Sequence, residues 1–218
     1  MSFQQTAWAA ICSTLLMAAT TYAEPTSSPA DSSPLASSPL ASSSQAPTVK
    51  KMKLQKKQLG DMQPVHALGD IYLAGQPTPE DLSLLKREGI KTVITLRKPE
   101  EVPWDEAAAV TQQGMKYVEA PFQAVEELKP EIFDKVLKVL RDKKRGPTML
   151  HCGSANRVGA IWYAYRVLDG KLTPEAALEE AKIVGLRTQG YLDQAQVYVE
   201  KIQNQPPATV IQEPQVDR

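Results

Sequence analysis

The sequence predicts an α/β fold with a mostly parallel central sheet flanked by helices. Three observations carry that prediction. Short β-rich apolar runs alternate with helix-like segments between residues 71 and 152. Pro and Gly punctuate the alternation at the places where helices open and close. The last run passes into a segment that is apolar nearly all round, as a helix buried against a sheet must be. Strands and helices that alternate in this way form parallel sheets with helices on both faces.

The elements follow in order. "IYLAG" (71–75) reads as a short strand. Thr78-Pro79-Glu80 supplies an N-cap, a proline at the first helical position and an acidic first turn. Leu82 and Leu85 face one way, and Gly89 stops that helix. "IKTVITL" (90–96) is β-rich and suits a buried strand. Pro103 is expected to open a helix that ends at Gly114, and "MKYVEA" (115–120) is the third strand. Pro130 opens a helix with Ile132, Phe133, Val136, Leu137 and Leu140 on its core side, closed by Gly146-Pro147. "TMLHC" (148–152) is the fourth strand, and the apolar helix follows from about Val158. Thr173-Pro174-Glu175 begins another helix, to about Val184, and a last one spans about 189–203.

Around this unit, residues 60–204, the chain changes character. Residues 1–23 hold an uncharged apolar run, "AWAAICSTLLMAA" (7–19), with Thr21 and Ala23 small as a signal peptidase requires. The run is short for a membrane span. We expect a cleaved signal peptide and an exported protein, periplasmic or secreted. Residues 24–59 are a Ser/Pro/Ala linker with "SSPLA" repeated at 32–36 and 37–41, and it lacks the apolar mass to fold. A lysine cluster from Lys50 to Lys57 closes the linker; it reads first as a solvated tail, with contact to an anionic surface as the alternative. Residues 205–218 read as a loose tail.

Composition excludes some classes. Lys+Arg and Asp+Glu are 25 each, so the basic excess of a general nucleic-acid binder is absent. No CxxC or HExxH pattern is present, so no metal is expected. Without residues 1–23 the chain keeps one cysteine, Cys152, which cannot form an internal disulfide.

Cys152 opens the stretch that carries chemistry, "HCGSANRVGA" (151–160). It stands at the carboxyl end of a strand, where open α/β sheets bind ligands. A helix begins just beyond, and a helix N-terminus favours an anion and a cysteine thiolate. The amides of Gly153, Ser154, Ala155 and Asn156 can curl into an anion nest, with Gly153 and Asn156 as the residues that tolerate its turns. Arg157 adds a planar fork suited to two oxygens of an oxyanion. An arginine set between apolar segments without an anion partner is costly, which favours an anion site over a plain turn. His151 is expected to orient the loop through backbone hydrogen bonds. Arg97 ends a strand on the same sheet edge and is expected to line the pocket. Gln76, in a "GQP" turn, is read as structural.

A strand ending in "HC", an arginine closing the loop and a helix behind it resemble the cysteine-dependent phosphatases of the dual-specificity type. "IYLAGQPTPEDLSLLKREGIKTVITLR" (71–97) is similar to a bacterial branch of that superfamily, whose members include a phosphatase-like domain fused to NAD kinase. The resemblance covers about residues 68–200. It implies the phosphatase-like fold and no cofactor. It also implies a phosphocysteine on Cys152, with phosphate held by Arg157 and the loop amides. The substrate it implies is a phosphorylated protein or a small phosphate ester.

Three departures stand against that pattern. Four residues separate Cys152 from Arg157, where the family has five. Val158 replaces the Ser or Thr that helps the cysteine leave. No Asp occupies the acid loop, "EAPFQAVEELKPE" (119–131); Glu126 and Glu127 are the substitutes there, and Asp105 is another carboxylate on an earlier loop. A missing acid costs a factor of about 10²–10⁴. The short loop is also similar to the "CxSGNR" loop of rhodanese-like sulfurtransferases, which work through a cysteine persulfide. Two alternatives therefore stand beside the phosphatase: a sulfurtransferase, and an oxyanion-binding pseudophosphatase.

Overall fold

The computed structural model describes residues 52–205. The chain divides into two units, 1–48 and 49–218, and every described residue lies in the second. The expected signal peptide, the linker up to residue 51 and residues 206–218 lie outside the described residues. Among the described residues no helix is long and apolar enough to cross a membrane.

Six strands form one sheet in the order β1-β2-β3-β6-β4-β5. They are β1 Gln55–Lys56, β2 Val65–Leu68, β3 Ile71–Ala74, β4 Thr92–Thr95, β5 Lys116–Glu119 and β6 Thr148–His151. β3, β6, β4 and β5 pair in parallel, while β1 and β2 add antiparallel partners at one side. The sheet thus reaches into the segment read as linker. Gln55-Lys56 is exposed and too short to show an apolar period, and "VHAL" in β2 carries a histidine on a fully covered strand. Neither announces a strand in the sequence.

The helices are α1 Pro79–Arg87, α2 Glu106–Gln112, α3 Pro130–Arg141, α4 Asn156–Leu168, α5 Pro174–Val184 and α6 Gln189–Gln203. α1 opens on a capping box: the Asp81 carboxylate accepts from the Thr78 amide at 2.9 Å, and Thr78 Oγ1 accepts from the Asp81 amide at 3.3 Å. α2 begins at Glu106 rather than Pro103, because Asp105 caps it and residues 99–101 form a separate 3-10 turn. That insertion proves to matter for the site.

Two apolar layers sandwich the sheet. Leu82, Leu85 and Val110 from α1 and α2 pack with Val93 and Met149 on one face. Phe133, Leu137, Ile161, Trp162, Ala177, Ala181 and Ala195 pack with Leu73, Ile94 and Leu150 on the other. α4 runs through the middle of the second layer, its residues Val158–Ala164 all buried. Truncating such a core side chain to alanine costs about 2–5 kcal/mol. The well-packed strand β6 and helix α4 therefore hold the loop between them, residues 152–155, as a rigid joint.

Candidate active site

The loop leaves β6 at His151 and is pinned from its first residue. The Cys152 amide donates to Ala74 O at 3.3 Å, and Gln76 N donates to Gly153 O at 3.2 Å. A bridge joins Gly75 to Ser154. A Cβ on Gly75 would lie 2.1 Å from Gln63 O and 3.2 Å from Gly153 O, so only glycine fits this approach. Cys152 itself is buried, 1% exposed. The left-handed turn falls on Ala155, at φ 59°, not on Gly153 or Asn156. A left-handed alanine costs about 1–2 kcal/mol, strain of the kind concentrated at functional sites. Right-handed helix follows at Asn156, so the amides entering α4 turn to one side as in an anion nest. α4 starts two residues earlier than its apolar pattern suggests.

Arg157 is held along one edge. Its Nη1 donates to Leu96 O at 2.9 Å, Phe122 O at 2.6 Å and Glu101 Oε2 at 2.8 Å, and its Nη2 donates to Glu101 Oε1 at 2.8 Å. Nη2 also lies 4.0 Å from where a Gly153 Cβ would stand, so the guanidinium reaches the loop. The hydrogen bond from Arg157 holds the Glu101 carboxyl below the usual carboxylate value of 4.5. Glu101 belongs to the 3-10 turn Pro99–Glu101, directly after β4. A half-buried guanidinium is tolerable because this bidentate partner neutralises it.

Behind this pair lies a second buried polar group. Arg97 Nη1 donates to Gln76 Oε1 at 2.8 Å, its Nη2 donates to Glu101 O, and its Nε stands 3.8 Å from Glu101 Oε1. Gln76 Nε2 donates to Glu106 Oε1, and the Tyr117 hydroxyl donates to Glu106 Oε2 at 3.0 Å. His151 Nε2 is 3.5 Å from Glu106 Oε1. Burial pushes the His151 pKa down, with Glu106 acting the other way. Neither His151 ring nitrogen makes a well-formed hydrogen bond, while the Cys152 backbone acts on the ring in the same direction as Glu106. Burial, then Glu106, raises the Tyr117 pKa and keeps its hydroxyl protonated. A cavity of about 290 Å³ adjoins this group, lined by Arg97, Lys98, Trp104, Glu106 and Tyr117 among others.

The other side of the loop is held by Asn156. Its Nδ2 donates to Thr188 Oγ1 at 2.8 Å, and its Oδ1 accepts from the amides of Arg187 at 2.8 Å and Thr188 at 3.2 Å. The segment between α5 and α6 is thereby fastened to the loop. Gly185, at φ 140°, lies against Ser154 O and the Ala155 side chain. Arg187 Nη2 donates to Ser154 Oγ at 2.5 Å, and its Nη1 donates to Ser154 O at 3.4 Å and Gly185 O at 3.3 Å.

The structure thus brings Cys152, the loop amides, Arg157 and Arg97 to one sheet edge. It treats the two expected acids differently. Glu126 is exposed on the short 3-10 turn 125–127. Glu127 accepts from Lys98 Nζ at 2.6 Å and from the amides of Gln123 and Ala124 at 2.7 and 3.1 Å. The Lys98 bond first, then those amides, lower its pKa to about 2, so it stays ionised and poorly suited to giving up a proton. Asp105 caps α2 by accepting from the Ala108 amide at 2.9 Å. Val158 is fully buried and offers no hydroxyl. Sequence reasoning missed Glu101, Glu106 and Arg187 as site residues. "RKPEE" (97–101) held the one usable signal, acids just past a strand that ends on the loop's edge.

Comparison with known proteins agrees with this geometry. The family model described as "DSP-PTPase phosphatase fused to NAD+ Kinase" matches residues 44–199. The dual specificity protein phosphatase TpbA of Pseudomonas aeruginosa is 25% identical over 130 residues, which are 59% of this chain and 57% of that protein. The chain therefore spans little more than half the length of the curated relatives it matches. The crystal structure of P. aeruginosa TpbA superposes with a TM-score of 0.51 at 21% identity, covering 70% of this chain and 91% of that one. Tk-PTP in its active form gives a TM-score of 0.52 at 20% identity, covering 61% and 93%. At such identities the two structures speak for the fold, a dual-specificity phosphatase type of α/β sandwich. With its cysteine loop on β6, its arginine on α4 and a family model spanning most of its length, this chain belongs to the family of phosphatase domains described as DSP-PTPase fused to NAD+ kinase.

Proposed function

We propose that the domain hydrolyses a phosphate monoester, a phosphotyrosine or a small ester, through a phosphocysteine on Cys152. The thiolate sulfur attacks phosphorus, and the P–O bond to the leaving group breaks. The leaving oxygen takes a proton from solvent water, since Glu127 is held ionised. Water then attacks the phosphocysteine, the S–P bond breaks, and inorganic phosphate leaves with the thiolate restored. Arg157 and the amides of Gly153, Ser154, Ala155 and Asn156 hold the three phosphoryl oxygens, an electrostatic role of the kind that dominates many such reactions. Arg97 supports them through Glu101.

The mounting of Arg157 carries the proposal. Two backbone carbonyls and both oxygens of Glu101 fix Nη1 and Nη2 of its guanidinium, the latter beside the loop. Such a guanidinium is pre-organised and meets an oxyanion with little further ordering. TpbA, one of the relatives, has been crystallised in complex with phosphotyrosine, which makes an aryl phosphate the first substrate to try. Purified protein with an aryl phosphate should release phosphate, and Cys152→Ser should not. Thiosulfate and cyanide in a parallel assay test sulfur transfer, and thiocyanate formation without phosphate release would overturn the proposal.

A second reading, an oxyanion-binding pseudophosphatase, rests on a specific observation. The acid candidate on the family's acid loop that lies nearest Lys98, Glu127, is locked as an anion, and Val158 supplies no hydroxyl. Arg157-dependent phosphate binding without turnover would favour it. Export after cleavage behind Ala23 belongs to the same proposal, and N-terminal sequencing of the mature protein tests it.

A further inference from the structure

We infer that the α5–α6 side of the loop forms a second anion subsite, so that the preferred substrate carries another phosphate or carboxylate group close to the phosphoryl group being transferred. The inference deepens the proposed phosphate chemistry and rests on it.

Arg187 is the core of this subsite. Its guanidinium stands over Ser154, two residues along the loop from Cys152, and donates to Ser154 Oγ, Ser154 O and Gly185 O. All three partners are neutral oxygens. Among the described residues no carboxylate pairs with Arg187, whereas Arg97 and Arg157 share Glu101, Arg141 meets Asp169, Arg145 meets Asp70 and Arg166 meets Glu180. The one arginine beside the loop that keeps its full charge is therefore the one facing solvent at its lip.

The position is built rather than incidental. Asn156 grips the backbone amides of Arg187 and Thr188 together, so the residue that opens α4 also sets where Arg187 stands. Gly159 allows the approach from below: a Cβ there would lie 2.6 Å from Leu186 Cβ and 2.8 Å from Leu186 N. Gly185 allows it from the side, against Ser154 O and Ala155. A cavity of about 90 Å³ opens beside Arg187. Its walls are Lys182, Arg187, Thr188 and Gln189 with three leucines; Lys182 meets Glu179 at 3.3 Å, which leaves Arg187 as the wall's unneutralised cation. That lining suits a single small oxyanion group. A phosphoryl group in the loop and a second oxyanion on Arg187 would be bridged by Ser154, whose hydroxyl already faces the guanidinium. A charge-assisted hydrogen bond to a phosphate or carboxylate is stronger than the neutral bonds Arg187 now makes.

The test uses the full chain with Cys152→Ser, so that bound ligand is not consumed, and measures binding of inorganic phosphate and inorganic pyrophosphate by calorimetry without added metal. Pyrophosphate should bind more tightly than phosphate, by about fivefold or more. Arg187→Gln in the same background should bring that ratio down towards one, and Arg187→Lys should retain part of it. The melting temperature of Arg187→Gln should stay within about 2 °C of its parent, as for an exposed substitution. A ratio untouched by Arg187→Gln, or an equal loss of both ligands, would overturn the subsite. If phosphate binds without any preference for pyrophosphate, the subsite fails while the phosphate loop stands. If neither anion binds at all, the phosphate reading fails and takes the subsite with it.

Discussion

The two flanks of residues 152–157 solve the same problem, placing a guanidinium beside an anion loop, in opposite ways. On the β4 flank the arginines are half-buried. Arg157 and Arg97 converge on Glu101, and Gln76, Glu106, Tyr117 and His151 continue the polar contacts inward. On the α5–α6 flank Arg187 is exposed and bound only to neutral oxygens. The difference follows from desolvation. A charge taken out of water must be paired at once, whereas a charge left in water can wait for its partner. The buried flank is therefore suited to orienting a group, and the exposed one to choosing among ligands.

The largest effect should come from breaking the buried flank at its centre. Arg157→Met removes the phosphate clamp and leaves the half-buried Glu101 without its main partner. Turnover of an aryl phosphate should be abolished, and stability should fall by about 3–5 kcal/mol in urea titration. Unchanged stability would mean that the ion pair is not the anchor of this flank.

The leaving group gives the next largest contrast. With Glu127 held ionised and Glu126 exposed, neither residue is set to protonate a leaving oxygen. Aryl phosphates, whose leaving oxygens need little help, should exceed alkyl phosphates by about 10²-fold or more in kcat/KM, the gain a general acid normally evens out. Comparable rates for both would reveal an acid that these contacts do not identify.

Glu101→Gln should act more gently. It keeps the shape and loses the charge, costing about 1–3 kcal/mol and weakening phosphate binding. The pH dependence has a definite sign. The Glu101 pKa is lowered in the folded state, so its contribution is present above the ordinary carboxylate value of 4.5 and is lost as pH falls through the lowered value. The variant should show a shallower loss of stability on acidification than the parent. An equally steep loss would show that other groups set it.

The smallest effect belongs to Glu127→Gln, within about threefold in kcat, because its carboxylate ties Lys98 to a surface turn. A hundredfold loss would restore it as the acid.

How much of this could be read in the sequence follows the same division. The four parallel strands, the capped helices from Thr78 and Thr173 and the last helix were legible, because apolar periodicity and caps are local signals. The β1–β2 addition was not, since a two-residue exposed strand has no pattern. Cys152 and Arg157 were legible because they share one loop. Glu101 was not, because its pairing with Arg157 depends on how the 3-10 turn after β4 folds over the loop, 56 residues away in sequence. Asn156 shows the limit most clearly: it was read as a residue chosen for backbone freedom, yet its backbone is helical and its side chain is what the fold uses.

The central claim is that Cys152 carries the phosphoryl group in the loop. Intact-mass analysis of protein quenched in acid during aryl phosphate turnover tests it most directly. The wild type should carry one added phosphoryl mass that maps to Cys152, and Cys152→Ser should carry none and release no phosphate. Steady phosphate release by Cys152→Ser would contradict the account.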